Sequence, residues 1–276
     1  MANWGILYLC PTPIGNMEDI TLRTLNVLKT VDVIAAEDTR HTIKLLNHYG
    51  ISKPLISYHE HNEKSRSQEI IKTLKNGKSV ALVSDAGMPL ISDPGQELVK
   101  LAIDEGIKVV PLPGPSAALT ALIASGIATR RFCFEGFLPE NKKERQKILE
   151  ELKSERRTII IYESPHHLAK TLRDLFSSLG NRKITVAREL TKIHEEFFHA
   201  DLRSALEHFS QEVKGEFVLV LDGNQEPAQE NWNNLSILDH INLYMSSGMS
   251  KMEAIKNVAR DRNMPKSEVY KHAIDK

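Results

Sequence analysis

The chain has 276 residues, of which 41% are hydrophobic and 26% are charged, a composition typical of a globular protein that dissolves in water. Its 36 basic and 36 acidic side chains cancel, which argues against indiscriminate binding to polyanions, so a nucleic-acid partner would need a local basic patch. No apolar run approaches the roughly 20 residues that span a bilayer, and no basic leader precedes the first apolar run. We therefore expect a cytoplasmic protein without membrane association.

The first part of the chain alternates short apolar runs with helical periodicity, which is typical of βα units around a largely parallel sheet. Five strands are predicted, at Ile6–Leu9, Val31–Ala36, Leu55–Tyr58, Val80–Ser84 and Lys108–Leu112. Helices between them end at Gly50, Gly77 and Gly106, because glycine readily takes the left-handed conformation that closes a helix.

A change of pattern near residue 116 predicts a second α/β domain. Ser116 suits the N-cap of an apolar helix from Ala117 to Ser125. Strands are predicted at Phe132–Phe134, Thr158–Tyr162, Ile184–Ala187 and Phe217–Leu221, with helices at Lys142–Lys153, His166–Leu179 and Leu202–Gln211. The expected domains are residues 1–115 and 116–225, followed by a small helical appendage at 226–276.

Three loops rich in glycine and proline follow predicted strands. They are Cys10-Pro-Thr-Pro-Ile-Gly-Asn16, Ser84-Asp-Ala-Gly-Met-Pro-Leu-Ile-Ser-Asp-Pro-Gly95 and Pro111-Leu-Pro-Gly-Pro-Ser-Ala117. Glycine and proline commonly mark plain turns. In an open α/β sheet, however, ligands bind beyond the carboxyl ends of the strands, where small residues let them approach the backbone. Three such loops together predict one shared pocket.

The usual nucleotide fingerprints, G-x-G-x-x-G and G-x-x-x-x-G-K-[ST], are absent from the sequence, so neither NAD nor ATP is expected. Cys10 and Cys133 are expected to be buried free thiols. The cluster Tyr58-His-Glu-His61 lacks a third partner at metal-ligand spacing, and a polar loop is favoured over a metal site. No metal is predicted.

These loops, with Ala36-Glu-Asp-Thr-Arg40 and Tyr162-Glu-Ser-Pro-His166, resemble the tetrapyrrole-methylase family over about residues 5 to 223. The likeness is greatest to the branch that methylates the 2′-hydroxyl of a cytidine in small-subunit ribosomal RNA. The resemblance implies a two-domain α/β fold of the tetrapyrrole-methylase type with a small C-terminal helical appendage. It also implies S-adenosylmethionine as cofactor in the cleft between the domains, and a homodimer.

Positions that match the family's cofactor-binding pattern come from both predicted domains. The resemblance implies that the cofactor contacts Pro13, Asp85, Ala86, Gly87, Met88, Ile91, Ser116, Ala117, Tyr162, Glu163 and Leu190. The Ser84-Asp-Ala-Gly-Met-Pro segment stands where enzymes acting on porphyrin precursors carry Gly-Gly-Asp-Pro, which disfavours a tetrapyrrole substrate.

A ribose hydroxyl needs a proton acceptor before it becomes a good nucleophile. Glu37, Asp38 and Arg40 follow a predicted strand at its carboxyl end, where catalytic residues collect, and are the candidate catalytic residues. Alternatively, Asp38 or Thr39 only caps the helix that begins there while Glu37 pairs with Arg40. Similarly, Arg188, Glu189 and Lys192 are candidates for binding RNA phosphate or cofactor, or else form an ordinary salt-linked loop.

Two stretches are candidate RNA contacts. The basic run from Lys142 to Arg157 is diluted by glutamates, which favours a solvated helix face. The tail is predicted to form two helices, at 250–263 and 265–272, similar to a helix-turn-helix. Its basic residues are Lys251, Lys256, Arg260, Arg262, Lys266 and Lys271, and its apolar seam is expected to contain Met252, Ile255, Val258, Ala259, Val269 and Tyr270.

The sequence thus predicts S-adenosylmethionine-dependent 2′-O-methylation of a cytidine in small-subunit ribosomal RNA, with the assembled 30S particle as partner. One alternative is a methyltransferase of the same fold that acts on a small molecule such as a tetrapyrrole. Another is an RNA-binding protein whose cofactor cleft is vestigial.

Overall fold

The computed structural model of the chain describes residues 4–211, 213–225, 235–246 and 248–274. One compact unit ends at Asn224 and a second begins at Gln225. The predicted division of the first unit between residues 115 and 116 stays a prediction. Among the described residues, no helix is long and apolar enough to cross a bilayer.

The first sheet contains five parallel strands in the order β3-β2-β4-β1-β5. The strands are β1 Leu7–Cys10, β2 Val33–Ala36, β3 Leu55–Ser57, β4 Val80–Val83 and β5 Val109–Pro111. The helices are α1 Leu22–Thr30, α2 Thr39–His48, α3 Glu63–Lys75 and α4 Gln96–Asp104. Cys10 of β1 and Ala36 of β2 both pair with Val83 of β4. The loops after these three strands therefore begin side by side at the carboxyl ends of the strands.

The predicted helix ends in this sheet are confirmed. Gly50, Gly77 and Gly106 each follow the C-cap residue of α2, α3 or α4, with φ of 64°, 81° and 73°. All five predicted strands are present with slightly shorter bounds. Helix α1 was not predicted, and Thr21 caps it by accepting a hydrogen bond from the backbone N–H of Thr24.

The second sheet also has five strands, in the order β6-β7-β10-β8-β9, and only the β6–β7 pair is parallel. Its elements are α5 Ala117–Ala124, β6 Phe132–Phe137, α6 Lys142–Lys153, β7 Thr158–Glu163, α7 Leu168–Leu179, β8 Lys183–Arg188, β9 Glu196–Asp201, α8 Leu202–His208 and β10 Phe217–Leu221. The four predicted strands are confirmed, and the edge strand β9 was not predicted. Helix α5 packs on one face of the sheet, and α6, α7 and α8 pack on the other.

The second compact unit contains the helices α9 Ile237–Ser246, α10 Lys251–Asp261 and α11 Lys266–Ile274. The predicted pair of tail helices is confirmed, and α10 begins with a capping box between Ser250 and Glu253. Four predicted seam residues are buried in its core, namely Ile255, Val258, Ala259 and Val269. The prediction was wrong for Met252 and Tyr270, which are 67% and 45% exposed.

Candidate functional site

A cavity of about 490 Å³ lies where loops from both sheets of the first unit meet, and we call it the central pocket. Ten of the eleven predicted cofactor contacts line it: Asp85, Ala86, Gly87, Met88, Ile91, Ser116, Ala117, Tyr162, Glu163 and Leu190. Pro13 is not among the lining residues, although its neighbour Ile14 is. Loops far apart in sequence therefore come together as predicted, while their role in binding stays a prediction.

The loops after β1 and β4 are held together by backbone hydrogen bonds. The Thr12 N–H donates to the Gly87 carbonyl at 2.9 Å, and the Gly87 N–H donates to the Thr12 carbonyl at 3.0 Å. The Ser84 hydroxyl donates to the same Gly87 carbonyl at 2.9 Å. Gly87 has φ of 80°, and a Cβ there would lie 3.3 Å from Cγ2 of Ile14. A larger residue at 87 would combine backbone strain with crowding of the pocket wall.

Two pocket loops contain non-glycine residues in the left-handed region. Leu90 and Ser92 have φ of 73° and 68° beside Ile91, and Glu189 and Thr191 have φ of 51° and 65° on either side of Leu190. Such conformations are uncommon for residues with a Cβ and persist where the surrounding structure imposes them. Ile91 and Leu190 both line the pocket, so the strain lies in the segments that present them.

The start of α5 forms another wall of the pocket. Ser116 occupies the N-cap position, but its hydroxyl makes no capping hydrogen bond, which corrects the predicted capping role. The backbone N–H of Ala118 instead donates to the Tyr162 hydroxyl at 3.2 Å. The Tyr162 ring contacts Phe134 and Phe137 edge to face, with centroids 4.9 and 5.7 Å away. An aromatic wall therefore stands beside a helix start that has an uncommitted hydroxyl.

Glu163 lines the pocket, and a series of hydrogen bonds on the side away from the pocket holds its carboxylate in place. Its Oε1 accepts the Ser164 N–H at 2.7 Å, and its Oε2 accepts the Thr171 hydroxyl. Thr171 Oγ1 in turn accepts from Arg145 Nη2 at 2.7 Å, and Arg145 Nε donates to Asp174 at 2.7 Å. These contacts fix the Glu163 carboxylate, so it serves as part of the wall.

Three further carboxyl groups face the pocket from the first sheet, on Glu37, Asp85 and Asp93. The side chains of Glu37 and Asp93 lie within hydrogen-bonding reach of each other. Burial, and then the charge of the partner, raise the pKa of Asp93 to about 7. Burial likewise raises the pKa of Glu37, and the charge of Asp85 adds to the effect. Asp93 lies inside a loop predicted to bind ligand, but it was not singled out from the sequence.

Asp38 and Arg40 occupy different surroundings from Glu37. Asp38 caps α2 by accepting the Arg40 N–H at 2.8 Å, and its carboxylate pairs with the Arg40 guanidinium, also at 2.8 Å. Hydrogen bonds from Arg40 lower the pKa of Asp38 to about 2. The Arg40 side chain is 88% exposed, and neither residue lines the pocket. The alternative considered from the sequence is confirmed for capping by Asp38 and wrong for pairing of Arg40 with Glu37. A catalytic role for Asp38 and Arg40 stays a prediction.

Other candidate residues form local ion pairs. Lys192 bridges Glu189 and Glu216 at 2.8 and 3.0 Å, and Arg188 pairs with Glu196 at 3.3 Å, so this segment is a salt-linked loop. In the described ranges, no group of three or more His, Cys, Asp or Glu side chains could hold a metal ion. Cys10 is a buried free thiol as predicted, whereas Cys133 is only partly buried.

Comparison with known proteins places the chain among methyltransferases. The model of the tetrapyrrole (corrin/porphyrin) methylases matches residues 7–206. The chain is 52% identical to ribosomal RNA small subunit methyltransferase I of Halalkalibacterium halodurans, with 96% of this chain and 93% of that protein covered. It is 53% identical to the protein of the same name from Bacillus subtilis, with 98% and 94% covered.

A solved structure has the same fold at lower identity. The uroporphyrin-III C-methyltransferase of Thermus thermophilus in complex with S-adenosylhomocysteine aligns with a TM-score of 0.57 and 19% identity, covering 79% of this chain and 97% of that one. The expected tetrapyrrole-methylase fold is therefore confirmed.

Proposed function

Since the chain belongs to the tetrapyrrole methylase family, we propose that it is an S-adenosylmethionine-dependent methyltransferase that acts on the 2′-hydroxyl of a cytidine in small-subunit ribosomal RNA. The observation that carries the proposal is identity above 50%, over nearly the whole chain, to proteins named ribosomal RNA small subunit methyltransferase I. The cytidine and its 2′-oxygen rest on the sequence motifs described above.

The central pocket fits a cationic cofactor. Its twenty lining residues, all in the described part of the chain, include five acidic side chains and no Lys, Arg or His. S-adenosylmethionine carries a sulfonium and an ammonium group against one carboxylate, and it supplies an electrophilic methyl group when bound. A site without basic side chains is unsuited to polyphosphates or to tetrapyrroles bearing many carboxylates, because it would leave their charges uncompensated.

Particular residues suit particular parts of this cofactor. Backbone groups of Ala86, Gly87 and Met88, on the loop held to Thr12, would bind its polar groups. The Ser116 hydroxyl and the aromatic ring of Tyr162 would contact the adenosine. Pro13, Ile91, Glu163 and Leu190 would complete the enclosure. This division follows the chemistry of the groups that line the pocket, with Pro13 included as the neighbour of the lining residue Ile14.

Glu37 is the best supported of the three candidate catalytic residues. It lines the pocket, and burial raises the pKa of its carboxyl group, which makes the carboxylate a stronger proton acceptor than an exposed one. Within this proposal, Glu37 accepts the proton of the ribose hydroxyl. Asp38 and Arg40 would orient the chain that carries Glu37 or contact the RNA backbone outside the pocket.

The RNA substrate requires a surface beyond the pocket. In the second unit, Lys251, Lys256, Arg260, Lys266 and Lys271 are exposed around the core of the three helices. Their charges suit contact with phosphates of a folded RNA. We propose that this unit binds RNA, that the substrate is the assembled 30S particle, and that the enzyme acts as a homodimer in the cytoplasm.

Transfer of labelled methyl from S-adenosylmethionine to 30S subunits that lack the modification tests the proposal, with naked ribosomal RNA and 50S subunits in parallel. We expect label in 2′-O-methylcytidine from 30S subunits. Gly87→Trp should abolish labelling, whereas Gly126→Trp should retain it because position 126 has a similar φ of 70° and open space around it. Cofactor binding without label on any RNA would contradict the proposed substrate and favour a small molecule.

A further inference from the structure

The Glu37 and Asp93 carboxyl groups come from neighbouring strands of the first sheet. Glu37 directly follows β2, and Asp93 lies in the loop after β4, the strand paired with β2. Both residues line the central pocket. Their side chains lie within hydrogen-bonding reach of each other, and two carboxyl groups can form that bond only when one of them carries a proton, because an ionised carboxylate has no donor.

The surroundings of this pair keep the proton in place. Asp85 and Asp38 add negative charge near Glu37, and Asp85 does so near Asp93. Tyr162, on β7, is the neighbour from the second sheet, and the charge of Asp93 contributes to raising the pKa of that phenol. Like charges this close cannot all ionise without cost, so one proton shared by Glu37 and Asp93 is the favoured state.

His59 is the nearby group of opposite potential charge, and it is not hydrogen-bonded to the pair. The Asn62 amide is oriented by accepting the His59 backbone N–H at 2.9 Å and donating to the Ser57 carbonyl at 3.2 Å. Its Nδ2 therefore donates to His59 Nε2, 3.1 Å away, which puts the ring proton on Nδ1. That Nδ1 is buried and has no hydrogen-bond partner among the described residues. Neither ring nitrogen of His59 therefore donates a hydrogen bond to Glu37 or Asp93 in place of the proton that these two carboxyl groups share.

A ligand with a fixed positive charge would change this balance. Three other acidic residues line the pocket: Glu163 is held by Thr171, Glu216 pairs with Lys192, and Asp85 accepts the backbone N–H of Asp38 at 3.1 Å. The Glu37–Asp93 pair differs from these groups because it holds a proton, so its charge can change when a cation enters the pocket. S-adenosylmethionine and its product S-adenosylhomocysteine share every charged group except the sulfonium, so comparison of the two isolates that single charge.

We propose that the Glu37–Asp93 pair holds one proton in the free protein and releases it when the sulfonium cofactor binds, so that the pair distinguishes the charged methyl donor from its neutral thioether product. This inference rests on the proposed cofactor, and it assigns a role to Asp93 that the proposed function lacks. It also leaves Glu37 ionised at the stage when a proton acceptor is needed.

The sign of the pH dependence follows from the shared proton. Asp93 has a pKa of about 7, so near pH 7 about half a proton should be released per S-adenosylmethionine bound. Affinity for S-adenosylmethionine should rise about tenfold from about pH 6 to about pH 8, because the cation binds the ionised pair. Affinity for S-adenosylhomocysteine should change much less over this range.

Isothermal titration calorimetry of the full chain measures both quantities. Each ligand is titrated at about pH 6, 7 and 8 in phosphate and in Tris, whose different ionisation heats report the number of protons released. Asp93→Asn should remove the release and flatten the pH profile for S-adenosylmethionine. Glu60→Gln should leave both unchanged, because this exposed residue also loses one negative charge but does not line the pocket.

Infrared difference spectra of the unsubstituted protein give a second measurement that does not depend on the folding of a variant. The carbonyl band of a protonated carboxyl group should disappear when S-adenosylmethionine binds and persist with S-adenosylhomocysteine. Equal proton release for the two ligands, or none for either, would overturn this inference alone. Failure of both ligands to bind would overturn it together with the proposed cofactor, whereas binding without RNA methylation would overturn only the proposed substrate.

Discussion

Substitution of Arg145 by methionine should lower the free energy of unfolding of the first unit by about 3–5 kcal/mol. The Arg145 side chain is only 7% exposed and donates to Asp174 and Thr171, both at 2.7 Å. Methionine retains much of the apolar volume but removes the charge and the donors. The Asp174 carboxylate and the Thr171 hydroxyl, which donates to Glu163, then lose their donor in a largely buried setting. Removing one partner of a buried ion pair costs more stability than removing one partner of an exposed pair.

Lys147→Met on the same helix provides the matched control. Lys147 pairs with Glu151 at 3.8 Å, but the two side chains are 78% and 64% exposed. Solvent screens such a pair, so its loss should cost no more than about 0.5 kcal/mol.

Differential scanning calorimetry distinguishes the two variants. For domains of this size a loss of 1 kcal/mol lowers the melting temperature by about 2–4 °C, so Arg145→Met should melt about 6–20 °C lower. Lys147→Met should melt within about 2 °C of the unsubstituted protein. Equal melting temperatures for the two variants would refute the reasoning, because they would mean that burial of Arg145 adds nothing to its ion pair.

Three further outcomes are expected. Cys10 should resist iodoacetamide in the native protein and react in urea, because burial raises the pKa of its thiol to about 12. Mass spectrometry measures the labelling, and labelling of Cys10 in the native protein would show that the loop after β1 opens. Gly114→Ala should lower the melting temperature more than Gly50→Ala does, because a Cβ at 114 would lie 2.6 Å from Cβ of Pro11, whereas at position 50 it would meet no atom within 4 Å and only the strain of a φ of 64° would remain; a larger shift for Gly50→Ala would contradict this packing argument. Removing residues 232–276 should weaken methylation of 30S subunits and leave calorimetric cofactor affinity intact, and equal loss of both would indicate a structural role for the tail.

Local sequence predicted the elements whose signals are local. Gly50, Gly77 and Gly106 end helices because their backbone must turn left-handed directly after the C-cap, and this requirement is visible in the sequence. Strand β9 was not predicted because its sequence, Glu196-Phe-Phe-His-Ala-Asp201, has charged ends and no β-branched residue. Within the described ranges it pairs with β8 alone, so tertiary contact rather than propensity determines it.

The same distinction applies to the site. Glycine and proline in the loops indicated a pocket, since small residues at strand ends serve that purpose in many sheets. The pairing of Asp93 with Glu37 depends on β2 lying beside β4, which the local sequence Ser-Asp-Pro-Gly does not encode. The alternative in which Arg40 pairs with Glu37 is wrong because Asp38, which caps the same helix start, pairs with Arg40 instead. Proton sharing and partner choice are tertiary properties.

The central pocket has walls from both sheets, with Gly87 on one side and Tyr162 on the other. A molecule bound there acts as a removable crosslink between the two halves of the first unit, and it would stabilise them jointly. Chains cut near residue 115 would therefore have to reassociate before they could bind it. In such a split protein, the concentration of a molecule that binds the pocket would set how much of the whole is assembled, so that binding there would control association.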